Sequence, residues 1–224
     1  MAVPVIIYVL SYIPYLRYYG EIQWNLRTFE RIWSAQVTMF EYHKNLVAEH
    51  YFASPWYEWP LIVKPMWYYS ADFKGAGMAS SIMAFGNPAV WWTGLAAILF
   101  VLFYSVWRNA LPALRAIPGR EDEYDRALPV IAVAFLSGYV PWMLVSRLTF
   151  IYHYFASVPW IIAATAQALR YLERRRPRMA HVLAVLLVIL AAVLFVGFYP
   201  LASGLEVPRA WCDAMSWFKN WMWY

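Results

Sequence analysis

Apolar residues occur along the chain in long runs, separated by short segments in which the charged residues collect. Four runs have the length of about 20 residues that a helix needs to cross a hydrocarbon core. They cover residues 88–107, 127–146, 148–169 and 182–200. A shorter run at 1–16 resembles a transmembrane helix without its beginning. The pattern predicts an all-α membrane protein of about five transmembrane helices.

The composition supports a membrane protein and argues against a soluble one. Of the 224 residues, 63% are hydrophobic and 14% are charged, and the mean hydropathy is +0.46. Aromatic residues make up 20% of the chain, an excess typical of side chains at membrane–water interfaces. The single cysteine, Cys212, allows neither an internal disulfide nor a cysteine metal cluster.

The arginine-rich loops predict the orientation in the membrane. Five arginines lie within 170–181, which is therefore expected on the cytoplasmic side, and four within 108–126 place that loop there too. Alternation then places 17–87 and the tail 201–224 outside the cell membrane, together with the C-terminus. The net charge of +5 is a topology signal on this interpretation, and no nucleic-acid partner is expected.

The predicted organisation has four parts. Residues 1–16 form a truncated transmembrane helix, 17–87 an external segment, 88–200 a module of four transmembrane helices, and 201–224 an external aromatic tail. Within the external segment, the charged and apolar residues of 24–50 predict an amphipathic helix. The following stretch, "YFASPWYEWPLIVKPMWYY", has prolines every five residues and predicts an extended aromatic loop.

A polar patch interrupts the third predicted span. In "SRLTFIYHYFASVPW", a helix that begins near Arg147 would place His153 about 9 Å deeper. Arg147 and Tyr154 would share one face, His153 and Ser157 another, with Tyr152 to one side. Such a patch suits the phosphate of a lipid. The alternatives are an arginine that reaches the head groups of ordinary lipids and a histidine that is hydrogen-bonded in the core.

The proline-rich loop contains rings that could stack on a sugar, accompanied by charges at Glu58 and Lys64; the rings are Trp56, Tyr57, Trp59, Trp67, Tyr68 and Tyr69. The alternative is an aromatic belt that seats the loop on the membrane. Glu58 and Asp72 are possible acid–base groups, although nothing in the sequence pairs them.

No metal site is predicted. His43 and His50 are seven residues apart, on one face of the predicted amphipathic helix, and Glu49 precedes His50. Two histidines without a clear third ligand are weak evidence for a metal. The sequence also lacks a glycine-rich phosphate loop, a nucleophile elbow and an HExxH motif.

Four motifs, in this order, resemble the C-terminal part of the protein O-mannosyltransferases: "HYFASPWYEWPLIVKPMWYY", "GNPAVWW", "RLTFIYHYFASVPW" and "FYPLASG". The resemblance covers about residues 1–205. Members of this family are GT-C-type membrane glycosyltransferases. They transfer mannose from a polyprenyl (dolichyl) phosphate carrier to serine or threonine of proteins. The lack of a large inserted domain in 17–87 resembles the bacterial members.

The resemblance implies a division of roles. The family's catalytic acidic pair belongs to an N-terminal half that this chain lacks, so we expect no catalytic residue here and no activity of the chain alone. The carrier phosphate would contact Arg147, Tyr152, His153 and Tyr154. The sugar and acceptor cleft would include Trp56, Glu58, Trp59 and Lys64. The active face would be periplasmic or otherwise extracytoplasmic.

The same resemblance implies the partners. They would be the lipid carrier, secreted or membrane acceptor proteins, and the N-terminal half of the enzyme. The donor substrate would be polyprenyl-phosphate-mannose, and no cofactor is expected. Two alternatives stay open: a related transferase that attaches another lipid-linked sugar, and a non-catalytic membrane subunit that binds a ligand at the polar patch.

Overall fold

A computed structural model describes residues 2–18, 20, 26–45, 48–71, 77–107 and 123–224. The contacts divide the chain into two compact units, 1–48 and 49–224. Asp72 and most of the predicted inner loop 108–126 lie outside the described residues.

In the part of the first unit that the structure describes there are three helices, α1 (Ala2–Leu10), α2 (Ile13–Tyr18) and α3 (Leu26–Asn45). The N-terminal apolar run therefore forms two short helices separated by a turn at residues 11 and 12. The amphipathic helix is present as α3, and Gln36 joins it to α1 by accepting a hydrogen bond from Tyr8 Oη at 2.6 Å. Because α3 ends at Asn45, the prediction that His43 and His50 share a helical face is wrong.

Among the described residues of the second unit, three helices are long and apolar enough to cross a membrane. They are α4 (Pro88–Ser105), α5 (Glu123–Tyr139), which continues as a 3-10 helix over Val140–Leu144, and α7 (Pro177–Ser203). Between α5 and α7 lies the 16-residue helix α6 (Val158–Glu173), which follows a 3-10 helix at Ile151–Ser157. The helical membrane architecture is confirmed.

The third predicted span is placed wrongly. The sequence predicted a helix from 148, but residues 145–150 are not helical, 151–157 form a 3-10 helix, and α6 begins at Val158. Pro159 occupies the first turn of α6, where its missing N–H is not needed. The proline therefore begins the membrane helix instead of kinking it. Arg147 lies before the 3-10 helix that contains Tyr154, so the two residues do not share a helical face.

A small sheet, which the sequence analysis did not predict, connects the proline-rich segment to the end of α7. The segment forms a 3-10 helix at Trp56–Leu61 and then strand β1 (Met66–Ala71), not an extended loop. β1 pairs antiparallel with β2 (Met78–Ala84), and β2 pairs with the two-residue strand β3 (Val207–Pro208). Side-chain hydroxyls of β2 bind the last turn of α7, Ser81 Oγ to Leu201 O at 3.3 Å and Ser80 Oγ to Gly204 O at 2.7 Å.

The core of the second unit lies where α4, α5 and α6 meet under this sheet. α4 and α6 pack closely at Gly94, where an added Cβ would lie 2.8 Å from Ile161. The tail, predicted as an external aromatic segment, packs some of its rings into this core after α8 (Arg209–Met215). Trp221 and Trp223 are each only 1% exposed. Trp217 and Phe218 stay exposed at the surface.

Candidate functional site

The non-helical segment 145–150 carries Arg147 between the 3-10 helix that continues α5 and the 3-10 helix at 151–157. Arg147 is half-buried, and its guanidinium makes no hydrogen bond or ion pair with any residue that the structure describes. It lies close enough to His153 to contribute to the low pKa of that imidazole, although burial is the larger cause. His153 is therefore neutral at pH 7, and the positive charge here belongs to Arg147.

His153 is fixed in orientation by its neighbours. Its Nδ1 lies 3.1 Å from the backbone N of Phe150 and 2.9 Å from the carbonyl oxygen of the same residue. The ring stacks on Trp59, with centroids 5.8 Å apart, and contacts Trp142 at 4.1 Å. Within the described part of the chain Nε2 makes no hydrogen bond, so this nitrogen is the one available to a ligand.

Tyr152 belongs to an aromatic stack that joins the 3-10 helix at 151–157 to the sheet. Its ring is stacked between Phe150, at 5.4 Å and 18°, and Tyr68 of β1, at 6.3 Å and 24°. Tyr68 is 57% exposed. The sequence predicted Tyr68 as one of the loop aromatics and did not indicate its position beside Tyr152. That position depends on the pairing of β1 with β2, which the sequence pattern did not predict.

Tyr154 occupies the core and presents no face to a ligand. It is fully buried, with its ring 4.9 Å from Trp91 and 5.5 Å from Tyr139. Burial and the neighbouring Tyr139 raise the pKa of the Tyr154 phenol, so the group stays neutral. Of the four residues predicted to contact a phosphate, Arg147, Tyr152 and His153 are accessible and Tyr154 is not.

The 3-10 turn at Trp56–Leu61 is joined directly to the segment that precedes His153. Ser54 N–H donates to Thr149 O at 2.9 Å, and Thr149 Oγ1 donates to Ser54 O at 2.9 Å. The indole of Trp59 donates to Ser54 O at 3.0 Å and to Ser54 Oγ at 3.1 Å. These bonds place the two predicted groups of site residues next to each other.

The four predicted cleft residues differ in accessibility. Trp59 is fully buried, so it positions His153 and offers no surface for a sugar. Trp56 is half-buried and accepts a hydrogen bond at its carbonyl from Tyr139 Oη at 2.8 Å. Lys64 donates from Nζ to Tyr51 O at 2.8 Å and lies over the Tyr51 ring. Glu58 is half-buried, and its carboxylate makes no hydrogen bond with the described residues.

An open apolar pocket of about 400 Å³ adjoins the 3-10 helix at 151–157. It lies between the first turns of α4 and α6. The glycine and the first tryptophan of the "GNPAVWW" motif line it. The full lining is Phe85, Gly86, Asn87, Val90, Trp91, Phe155, Val158 and Pro159. Both polar atoms of the Asn87 side chain bind the protein: Oδ1 accepts from Ala89 N–H, and Nδ2 donates to Ala191 O. The pocket therefore suits an apolar group.

The described residues contain no group of three or more His, Cys, Asp or Glu side chains that could hold a metal ion. The arrangement offers one guanidinium, one phenol hydroxyl and one neutral imidazole nitrogen beside an apolar hollow. Such a set can bind an anionic group attached to an apolar chain. These features define a multi-span membrane protein with a cluster of accessible polar side chains near the ends of its helices.

Comparison with known proteins assigns the family. The model for the C-terminal four-transmembrane region of protein O-mannosyltransferase matches residues 28–221. This chain belongs to that family.

Curated relatives agree with this assignment. The chain is 27% identical to the polyprenol-phosphate-mannose–protein mannosyltransferase of Corynebacterium glutamicum, over 83% of this chain and 36% of that protein. It is 25% identical to dolichyl-phosphate-mannose–protein mannosyltransferase 5 of Candida albicans, over 88% of this chain and 29% of that protein. The chain thus spans about a third of the length of these relatives.

A solved structure shows the same fold. The Saccharomyces cerevisiae protein O-mannosyltransferase Pmt1-Pmt2 complex bound to the sugar donor matches with a TM-score of 0.71 and 21% identity. The match covers 86% of this chain and 26% of the yeast chain.

Proposed function

We propose that this chain is the C-terminal membrane module of a protein O-mannosyltransferase, which transfers mannose from a polyprenyl-phosphate carrier to serine or threonine of proteins. The observation that carries the proposal is the match of the family model to residues 28–221. The accessible group of Arg147, Tyr152 and His153 supports it, because all three have polar atoms left for a ligand.

In this proposal the carrier phosphate binds at the cluster formed by Arg147, Tyr152 and His153. In the transfer, the bond between the sugar's anomeric carbon and the phosphate oxygen breaks, and the acceptor hydroxyl oxygen forms the new bond. Negative charge then develops on the departing phosphate. The fixed charge of Arg147 stabilises this charge, and the Tyr152 hydroxyl and His153 Nε2 orient the phosphate oxygens. The neighbouring apolar pocket accommodates an apolar part of the same carrier.

The groups around the 3-10 turn contact the sugar and the acceptor. Trp56 and Glu58 lie on the turn itself, and Tyr68 presents an exposed ring beside Tyr152. Lys64 holds the backbone of Tyr51 and shapes the edge of the cleft. The general base that removes the acceptor proton is expected in the part of the enzyme N-terminal to this module.

The proposed orientation places this site on the extracytoplasmic side. Five arginines lie at or beside the turn between α6 and α7: Arg170, Arg174, Arg175, Arg176 and Arg178. This turn is at the end of the two helices that is opposite to the 3-10 helix at 151–157 and the sheet. Such a concentration of arginines favours the cytoplasmic face.

The test is a transfer assay in membranes, with polyprenyl-phosphate-mannose as donor and a Ser/Thr-rich peptide as acceptor. The chain is expressed alone and also joined to the N-terminal region of the Corynebacterium glutamicum relative. We expect mannosylated peptide only from the joined protein.

Inactivity of the folded joined protein would contradict the proposal. If the folded chain also bound the carrier in that case, the non-catalytic subunit would be favoured. Transfer of a different sugar from its own polyprenyl phosphate would favour the related transferase.

A further inference from the structure

The turn that carries Trp56, Glu58 and Trp59 ends in an unfavourable backbone conformation. Ile62 has φ 56° and ψ 43°, in the left-handed region, and is the one non-glycine residue with positive φ among those the structure describes. A β-branched side chain rarely adopts this conformation, because its Cβ crowds the following carbonyl. Such a conformation persists where surrounding contacts enforce it.

Two tryptophan indoles provide such contacts. Trp92 of α4 donates from Nε1 to Leu61 O at 3.2 Å, and Trp221 of the tail donates from Nε1 to Ile62 O at 2.7 Å. The carbonyls are consecutive, and one donor lies on α4 and the other in the tail. Trp221 is 1% exposed, so its hydrogen bond is shielded from water.

The two indoles are connected by one aromatic cluster. Trp217 stacks on Trp221 at 5.7 Å and 22°, and lies 6.4 Å from Trp92. Phe198 of α7 contacts Trp217 and Trp221 at 5.0 and 5.7 Å. The conformation of the turn is therefore tied to the folding of the tail onto α4 and α7.

We propose that Trp92 and Trp221 are positioning residues for the transfer reaction, and that they act by holding the turn at Trp56–Ile62 in its strained conformation. Through this turn they fix the Glu58 carboxylate in the cleft and the Trp59 ring against His153. The tail is thus part of the site's support, although none of its residues contacts the proposed ligands. The reaction-related part of this inference rests on the proposed function.

The sharpest variant is Trp221→Phe, which keeps an aromatic ring in the cluster and removes the N–H. Trp217→Phe is the matched control, since Trp217 packs in the same cluster and is not one of the two donors to the turn. Ile62→Gly combined with Trp221→Phe is the rescue variant. Glycine adopts the left-handed conformation without the steric cost, so the turn depends less on the indole. Because Ile62 is fully buried, Ile62→Gly alone is the reference for the cavity that it leaves.

The first readout does not depend on activity. A spin label on Tyr57→Cys reports the mobility of the turn, and labelling is selective because the native Cys212 is buried. We expect higher label mobility with Trp221→Phe, native mobility with Trp217→Phe, and partial recovery in the rescue variant. Unchanged mobility with Trp221→Phe would overturn the inference even if the transfer assay fails for other reasons.

The second readout is transfer by the joined protein. We expect Trp221→Phe to lower kcat/KM for the peptide by about tenfold, the effect of losing one well-placed hydrogen bond. The rescue variant should regain most of this loss. Higher mobility with unchanged transfer would overturn the positioning role. The positioning role would also be overturned if the rescue variant regained native label mobility but its transfer stayed as low as that of Trp221→Phe.

Discussion

Trp59 and His153 stack with ring centroids 5.8 Å apart and planes 25° apart. The first lies on the 3-10 turn at Trp56–Leu61 and the second on the 3-10 helix at Ile151–Ser157. Neither residue is in a membrane helix. The candidate site is therefore assembled by two short 3-10 segments resting on the helix bundle, and the stack aligns them together with the hydrogen bonds between Ser54 and Thr149.

The first prediction concerns the Trp59 side of this contact. Trp59→Ala should lower the free energy of unfolding by about 3–5 kcal/mol, because it empties a fully buried position. Tyr57→Ala is the control from the same turn; Tyr57 is 59% exposed, and its loss should change stability by no more than about 0.5 kcal/mol. Thermal unfolding in detergent compares the two. Equal effects would show that the turn is not packed as described.

The second prediction concerns pH. Burial and Arg147 lower the pKa of His153 below its ordinary value of 6.5. In the window between the folded and unfolded pKa values, the unfolded chain binds more protons, so stability is full above about pH 6.5 and falls as the pH decreases.

Melting temperatures in detergent at pH 7.5 and 5.5 test this dependence. The protein should lose stability at the lower pH, and His153→Gln should lose less of it. His181→Gln is the matched control, because His181 lies on α7 away from this cluster. An identical acid dependence in wild type and His153→Gln would refute the assignment.

The third prediction concerns Arg147. In the joined protein, Arg147→Ala should lower kcat/KM for the carrier-linked donor by on the order of 100-fold, because the developing charge on phosphate loses its fixed partner. The kcat/KM of Arg147→Lys should lie between those of wild type and Arg147→Ala, because lysine keeps the charge and loses the planar guanidinium. Membrane insertion should be unaffected.

Arg178→Ala is the control for Arg147. This arginine is exposed at the opposite end of the bundle and should leave donor use unchanged. Donor titrations at saturating peptide separate the variants. Wild-type transfer by Arg147→Ala would rule out the proposed phosphate contact.

The fourth prediction compares two glycines. An alanine Cβ at Gly86 would lie 1.9 Å from the Trp91 ring, whereas at Gly138 it would lie 3.8 Å from Ser157 Oγ. Gly86→Ala should therefore destabilise the protein by at least about 1–3 kcal/mol through overpacking. Gly138→Ala, within a helix, should be neutral or stabilising by up to about 1 kcal/mol. Denaturation curves that do not distinguish the two variants would contradict the packing of Trp91.

The sequence was informative wherever a signal is local. Hydropathy located α4, α5 and α7 to within a few residues, and the amphipathic pattern located α3. It failed at Arg147–Ser157, because an apolar run does not distinguish a membrane helix from a 3-10 segment that buries its rings against neighbours. Tyr154 was consequently assigned to a ligand when its ring lies in the core.

Long-range pairings account for the remaining differences. The strand β1 follows Pro65 and contains Tyr68 and Tyr69, residues that favour strands, yet its partner is fixed only by the hairpin and by β3 far along the chain. The bond from Trp221 to Ile62 joins residues 159 positions apart. No periodicity within either segment indicates such a contact.

The length of α7 sets the distance between the arginine turn and the sheet. At 1.5 Å per residue its 27 residues span about 40 Å, whereas a hydrocarbon core measures about 30 Å. Its last turn is hydrogen-bonded to Ser80 and Ser81, and the sheet carries Tyr68 against Tyr152. The helix therefore acts as a spacer between the arginine turn and the site. Removing one turn from it would draw the sheet, and with it the Tyr68 face, about 5 Å closer to the bilayer centre.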